Sequence, residues 1–242
     1  MKALILAGGR GKRLGKVSEG INKCLLDVFG KPLIEYSFDC VSALDEINEL
    51  IVMVGYRAED IINKYGNNYK GKTVKYVIQW DRYGLVDAIE WGKELLGKDD
   101  FLLLLGDEFM LFPKHKDMIE KFKTEKLFGV CGVINVSDKE MIKKTYSIIQ
   151  DKSGRIVQLI EKPKNPPNNI MGTGNCVFKN EILNYIPKTI INSKRGEKEL
   201  PDLIQCAIDD GKLIKPFNIC DKYVNVNTFK ELDSFGSGFS HF

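Results

Sequence analysis

The apolar positions of the first half of the chain fall into two alternating patterns. KALILA (2–7), ELIVMVG (49–55), VKYVIQ (74–79) and DFLLLLGD (100–107) read as short strands, the last of them buried on both faces because its leucines are unbroken. Between them LIEYSFDCVSAL (33–44), AEDIINKYG (58–66) and VDAIEWGKELLG (86–97) space their apolar residues as helices do. Alternation of this kind predicts a parallel sheet with helices on both sides, in which ligands bind beyond the carboxyl ends of the strands. Gly8 to Arg13 and the Gly106-Asp107 pair both fall at such ends.

The second half reads differently. FGVCGVINV (128–136), TYSIIQD (145–151), RIVQLIEKP (155–163) and GTGNCVFK (172–179) are shorter strands between turn signals, expected to add mixed or antiparallel strands that build one wall of a cleft. NPPNN (165–169) is an exposed loop, and RGEKELPDLIQCAIDDG (195–211) reads as a late helix. No internal repeat is present. The expected fold class is α/β: a single Rossmann-like domain over 1–242 with a mostly parallel mixed central sheet flanked by helices. Residues 1–110 would form the nucleotide-binding half and 111–235 the acceptor-binding half, with a flexible tail over 236–242.

Composition narrows the chemistry. Of 242 residues 43% are hydrophobic and 29% charged, and no apolar run is long enough to span a bilayer. The start directly in a strand, without a charged leader, leads to the expectation of a cytoplasmic protein with no membrane partner. A net charge of +3 is too small to imply nucleic acid. The six cysteines form no C-x-x-C pair and are expected as buried free thiols. Only two histidines exist: His241 in a Gly/Ser tail, and His115 in a Lys-rich stretch expected to be a solvated helix start. A Ser/His or Cys/His nucleophile is accordingly excluded from the main readings.

The opening LILAGGRGKRLG places Gly8, Gly9 and Gly11 with Arg10, Lys12 and Arg13 directly after a strand. Glycines let main-chain N–H groups converge on an anion, and the cations add charge there. It is not a Walker A loop, because the glycine spacing and the Lys-Ser/Thr pair are missing. It is not a dinucleotide fingerprint either, since Leu14 stands where the third glycine belongs, which weakens a nicotinamide oxidoreductase reading. Three later stretches belong with it: Lys23 in NKCLLDVFGKP, Asp107 leaving a buried strand in LLLLGDEF, and Glu161-Lys162 in LIEKPKNPP.

Together these resemble the sugar nucleotidyltransferases, in a short form of the glucose-1-phosphate thymidylyltransferase type. The family's G-G-x-G-x-R-L corresponds to Gly8 through Leu14, its S-K-Q-L-L-P to Asn22 through Asp27, and its Q-x(4)-G-L-A-x-A to Gln79 through Ala88. Leu105-Gly106-Asp107, Glu161-Lys162-Pro163, Thr173-Gly174 and Arg195-Gly196-Glu197 follow in order. The resemblance implies that a phosphate oxygen of an acceptor attacks the α-phosphorus of a nucleoside triphosphate and pyrophosphate leaves. Arg13 and Lys23 would be catalytic, Arg13 on the pyrophosphate and Lys23 between the α-phosphate and the incoming phosphate. Leu6, Ala7, Gly8, Gly9 and Gly11 would wrap the nucleotide, and Gln79, Gly84 and Leu85 would hold the base. Glu161, Lys162, Gly174 and Asn175 would take the acceptor. Mg²⁺ is the implied cofactor, on Asp107 and a C-terminal amide, Asn227 preferred and Asn225 the other candidate.

Two departures bear on specificity. YVNVNTFKEL replaces the family's D-x-G-T segment, so an amide stands for an aspartate, and Cys24 replaces a glutamine that contacts the base. Recognition should then shift to the glycine loop and Gln79, favouring a pyrimidine triphosphate, CTP or UTP ahead of dTTP. A cytidylyltransferase acting on a small non-sugar phosphate or phosphonate stays open as the close alternative, and a non-catalytic nucleotide-binding regulatory module as the distant one. The expected partners are the nucleotide, a phosphorylated small-molecule acceptor and, among macromolecules, only a second copy of the chain as a homodimer.

Overall fold

A computed structural model of the chain describes residues 1–11, 20–80, 84–193 and 195–225. In chain order these form β1 (Lys2–Ala7), the short hairpin β2 (Asp27–Val28) and β3 (Lys31–Pro32), α1 (Leu33–Ser42), β4 (Glu49–Val54), α2 (Ala58–Tyr65), β5 (Asn68–Tyr69) and β6 (Lys72–Ile78). There follow α3 (Leu85–Trp91), α4 (Lys93–Leu96), β7 (Phe101–Leu105), β8 (Glu108–Leu111), α5 (His115–Thr124), β9 (Gly129–Asn135), β10 (Tyr146–Gln150), β11 (Ile156–Glu161) and β12 (Ile170–Phe178). The described part closes with α6 (Leu200–Asp209), β13 (Ile214–Asn218) and β14 (Lys222–Asn225).

One sheet runs in the order β11-β10-β12-β7-β1-β4-β6-β5, with β9 joined to β12 and β13 to β9. Strands β7, β1, β4 and β6 are mutually parallel, whereas β10, β11 and β12 join antiparallel, as the change of pattern in the second half predicted. Apolar runs are required in β1, β4 and β7 because both faces are covered there, whereas β6, nearer the sheet edge, leaves Thr73 and Lys75 exposed. Along β1, Ala3, Ile5 and Ala7 pack into one core with Phe38 of α1, Ile61 of α2 and Met118 of α5. Leu4 points the other way, into a second core with Val86 and Ile89 of α3 and Leu203 of α6.

In chain order β1 is central, β4 and β6 extend the sheet to one side and β7 to the other, so the strand order reverses between β1 and β7. Ligand crevices in open α/β sheets lie outside the carboxyl ends at such a reversal. The loop after β1 begins at Gly8, and the turn after β7 is Gly106-Asp107. Their spacing is fixed by a backbone bond, Gly106 N–H donating to Leu6 O at 2.9 Å.

Three expectations need correction. The stretch 86–97 is two helices rather than one: it breaks at Gly92, where a Cβ would stand 3.0 Å from the Leu4 side chain, so the glycine lets the helix lie against β1. The late helix begins at Leu200 rather than Arg195, because the residues before it are held by a bridge between Asn192 and Glu197. His115 does start α5, but it is buried, only 1% exposed. The six cysteines are free as expected, though Cys40 and Cys206 are only half-buried.

Strand β12 changes partner along its length, from β10 at Gly172 to β7 at Cys176, and its register with β9 shifts between those residues. The irregularity brings Gly174 against Leu105, so that a Cβ on Gly174 would fall 2.2 Å from the Leu105 Cγ. Replacing Gly174 by alanine is expected to lower stability by about 1–3 kcal/mol through overpacking. A lower urea midpoint with an unchanged slope would bear this out, and an unchanged midpoint would mean that the crossing has room to spare.

Candidate active site

Three parallel strands deliver their carboxyl ends to one cleft. Gly8 follows β1, Gly55 follows β4 and Gln79 follows β6, with Gln79 N–H donating to Val54 O at 2.8 Å. Gly55 makes the close approach possible, since a Cβ there would lie 3.0 Å from Gly8 O and 3.3 Å from Gln79 O. The cleft has a volume of about 320 Å³ and is lined by Leu6, Gly8, Gly9, Lys23, Cys24, Gln79, Gly84, Leu85 and Asp107, among others. Most of the nucleotide-binding residues expected from sequence therefore share one cavity. Ala7 sits behind it, buried, and Gly11 is a left-handed glycine with φ +63° that does not line it. Arg13 and Asn227 lie outside the described residues.

Lys23 sits on a short 3-10 helix, Lys23–Leu25, that Asn22 anchors. The Asn22 amide donates to Ala7 O at 3.2 Å and Tyr56 O at 2.7 Å, while its Oδ1 accepts from Cys24 N–H at 2.9 Å. This places the Lys23 ammonium 2.6 Å from Asp107 Oδ2, with Lys23 only 6% exposed. The cation is thereby suspended between the glycine loop and the end of β7. Cys24 also faces the cleft, and burial foremost, with the Asp107 charge second, holds its thiol protonated, so it offers a weak donor and no negative charge. Gly84 has φ +98° and a Cβ there would meet the Glu197 side chain at 2.8 Å, so only glycine fits between the two clefts.

A second cleft, of about 240 Å³, shares Leu85, Leu105 and Glu197 with the first and continues across β12. Glu161, Lys162, Thr173, Gly174, Arg195 and Asn225 are in its wall. The Lys162 ammonium is 3.0 Å from Glu161, and Arg195 contacts Glu161 at 3.2 Å, Glu197 at 3.3 Å and Glu199 at 2.5 Å. Burial raises the Glu161 carboxyl above its ordinary range, with Lys162 and Arg195 pulling it back. Lys162 has φ +43°, a left-handed conformation that non-glycine residues hold only where the surroundings impose it, and its N–H donates to Thr145 O at 2.7 Å.

Asn175 stands apart from the other acceptor candidates. It is fully buried behind the cleft, where its Nδ2 donates to Glu108 Oε2 at 2.5 Å and its Oδ1 meets His115 Nε2 at 2.8 Å. An amide oxygen can only accept, so His115 carries its proton on Nε2, and Nδ1 faces the Cys40 thiol at 3.0 Å. Glu108 also accepts from Gly174 N–H at 3.0 Å and from the Tyr223 hydroxyl of β14. Burial, reinforced by Asp107, pushes Glu108 up to about 8 against the pull of those donors. This network ties α5, β8, β12 and β14 together directly behind Asp107. Sequence reading passed over Asn22, Gly55 and Glu108. Two adjacent carboxylates leaving a buried strand, Asp107-Glu108, were the available sign that one faces the cleft and the other the interior.

Among the described residues no group of three or more His, Cys, Asp or Glu could hold a metal by itself. Asp107 offers one carboxylate, and Asn225 stands opposite the next residue, Glu108, in the β8–β14 pairing; so small a set of hard oxygen donors suits a magnesium ion that takes most of its oxygens from phosphates and water.

Comparison with known proteins identifies the class. The family described as Nucleotidyl transferase matches residues 2–223, and the chain belongs to that family. It is an enzyme of the nucleotidyltransferase type. It is 30% identical over 219 residues to the UTP–glucose-1-phosphate uridylyltransferase AglF of Haloferax volcanii, covering 90% of this chain and 88% of that protein. It is 30% identical to a glucose-1-phosphate thymidylyltransferase of Streptomyces griseus, over 89% of this chain and 59% of that one. It is 32% identical to the bifunctional protein GlmU of Methanococcus aeolicus, over 90% of this chain and 48% of that one. The chain thus spans about half to three-fifths of the latter two. The fold is shared with a UDP-glucose pyrophosphorylase complexed with UDP-glucose, at TM-score 0.85 and 20% identity over 98% of this chain and 97% of that one. It is shared also with a Bacillus anthracis protein in complex with sucrose, at TM-score 0.87 and 23% identity over 100% and 96%. Among the described residues no helix is long and apolar enough to cross a membrane.

His115 generates a pH prediction. Burial depresses it from its usual 6.5 to about 4. Between those values the unfolded chain binds a proton that the folded protein does not, so this residue costs stability as pH falls through that window. His115→Gln is expected to lose about 1–2 kcal/mol less than the wild type between pH 7 and pH 5. Urea midpoints at the two pH values provide the comparison, and parallel losses would show that His115 titrates normally.

Proposed function

We propose that the protein transfers a nucleotidyl group from a pyrimidine nucleoside triphosphate to a sugar 1-phosphate, giving a nucleoside-diphosphate sugar and pyrophosphate. The observation that carries this reading is the position of Lys23: its ammonium is paired with Asp107 at the edge of one cleft, and that cleft shares Leu85, Leu105 and Glu197 with a second. A triphosphate in the first and a phosphorylated acceptor in the second would meet at this cation. The names of the relatives, which pair a nucleotide with glucose 1-phosphate, support the same substrates.

In this mechanism a phosphate oxygen of the acceptor forms a bond to the α-phosphorus, and the bond from that phosphorus to the bridging oxygen of the β-phosphate breaks. Two polyanions must approach, so charge neutralisation and positioning carry the catalysis. Glycine-loop N–H groups and Arg13 hold the triphosphate, with Arg13 on the departing pyrophosphate. Lys23 touches the α-phosphate and the incoming phosphate as negative charge develops between them. Asp107 with Asn225 or Asn227 would hold Mg²⁺, which neutralises phosphate charge when bound. Glu161 accepts hydrogen bonds from acceptor hydroxyls, Lys162 takes its phosphate, and Gly174 lets it approach β12. Asn175 acts from behind, through Glu108. No nucleophilic side chain is needed. The reaction suits a cytoplasmic enzyme supplied with nucleotide.

Pyrophosphate release from each of UTP, dTTP, CTP, ATP and GTP, with Mg²⁺ and a panel of phosphorylated acceptors, tests the reading. Release from a pyrimidine nucleotide that requires a sugar 1-phosphate is expected, whereas release that requires only a non-sugar phosphonate would transfer the chain to the cytidylyltransferase alternative. Lys23→Ala and Asp107→Ala should each lower kcat/KM by about 10²–10³-fold or more, since each removes charge stabilisation of the transition state. Thermal unfolding would check that each variant stays folded, because either change strands a partly buried charge. A folded variant with near wild-type turnover would remove that residue from the mechanism.

A further inference from the structure

Asp87 lies on the first turn of α3, outside every role assigned so far, yet it makes the shortest polar contact of the residue expected to read the base. Gln79 Nε2 donates to Asp87 Oδ2 at 2.5 Å. Gln79 is buried, 6% exposed, at the back of the nucleotide cleft. Its Oε1 points the opposite way, toward the glycine loop: a Cβ on Gly8 would stand 3.5 Å from it.

A glutamine amide has a donor end and an acceptor end of nearly equal shape, and a site that lets it turn over can serve either a donor or an acceptor on a base. A carboxylate has only acceptor oxygens to offer, so turning this amide over would set Oε1 against Asp87, two acceptors face to face. The amide is therefore held in one sense.

We propose that Asp87 is a positioning residue for base selection, which fixes Gln79 with its carbonyl oxygen toward the base and so favours uracil or thymine over cytosine. This rests on the nucleotidyl-transfer reading above and names the base class for the same site. Uracil and thymine carry an N–H at ring position 3 between two carbonyls. Oε1 accepts from that N–H, and the second proton on Nε2 together with main-chain N–H groups of the glycine loop serves the carbonyls. Cytosine in the same place turns a lone pair at N3 toward Oε1, a repulsive pairing that a rotating amide would relieve and this one does not. Cytosine also presents an amino group in place of the 4-carbonyl, and Cys24, a protonated thiol in the same cleft, offers it no more than a weak acceptor.

The test is the substitution Asp87→Asn, which keeps the shape of the side chain but can donate as well as accept, releasing Gln79 to turn. The wild type should prefer UTP and dTTP to CTP, and Asp87→Asn should reduce the UTP-to-CTP ratio of kcat/KM by about tenfold, the size of effect typical of one matched hydrogen-bonding edge. If Asp87 works through Gln79, the same substitution made in Gln79→Ala should leave the ratio unchanged. A merely structural role would lower turnover with both nucleotides equally, so an unaltered ratio in Asp87→Asn overturns the proposal, as does a wild type that prefers CTP or a purine nucleotide. Equilibrium binding of UTP and CTP without acceptor separates this from the catalytic reading. Absence of pyrophosphate release from any nucleotide would defeat the catalytic reading alone, while a UTP preference in binding that is lost in Asp87→Asn would still uphold the lock.

Discussion

The ion pair between Lys23 and Asp107 is the constraint on which the arrangement depends. Its two halves come from segments 84 residues apart in sequence, and they meet because β1 and β7 are adjacent parallel strands whose ends face the same way. At 2.6 Å, and with Lys23 nearly buried, the pair sets the height of the 3-10 helix against the turn after β7. A cation kept in place by a carboxylate is also preorganised: when anionic phosphates arrive it need not be gathered from solvent, which is the condition under which electrostatic stabilisation is most effective.

Behind that pair the molecule invests in rigidity. Asn22 satisfies three backbone groups to hold Lys23, and the chain from Cys40 through His115 and Asn175 to Glu108 and Tyr223 fills the space under Asp107. Buried polar networks are costly unless each member is partnered. Here each link has a donor facing an acceptor, and the same bonds present Gly174 to the second cleft. Glycines complete the design by subtraction: at 55, 84 and 174 a single added carbon would strike a neighbour that forms the wall of a cleft.

How much of this could be read in advance follows from the kind of signal each part leaves. The parallel strands were legible because residues such as Leu4 and Ile5 must both be apolar when helices cover both faces. The glycine loop and Asp107 were legible because they follow strand ends, and Lys23 and Gln79 only through the resemblance of the ordered motifs to a known family; Gly8, Gly9, Lys23, Gln79 and Asp107 line one cleft. The network around Glu108 was not, since nothing in GDEFML marks a carboxylate as buried; the lysine neighbours of His115 point to solvent, although it shares a helical face with Met118, Ile119 and Phe122. The late helix was drawn too early because nothing in RGEKEL shows that Gly196 takes a left-handed φ of +70° and that Glu197 bridges to Asn192. Asp87 looked like one more polar position on an amphipathic helix. Only the distance to Gln79 distinguishes it.

The proposed function requires two phosphates from two clefts to meet at Lys23, with direct transfer and no nucleotidyl-enzyme. Exchange of labelled pyrophosphate into the nucleoside triphosphate tests it most directly. Exchange that begins only when the sugar phosphate or its nucleotide product is present is the predicted result, because the α-phosphorus then has no other acceptor. Exchange with nucleotide and enzyme alone would require a covalent intermediate on a side chain and would rule out direct transfer.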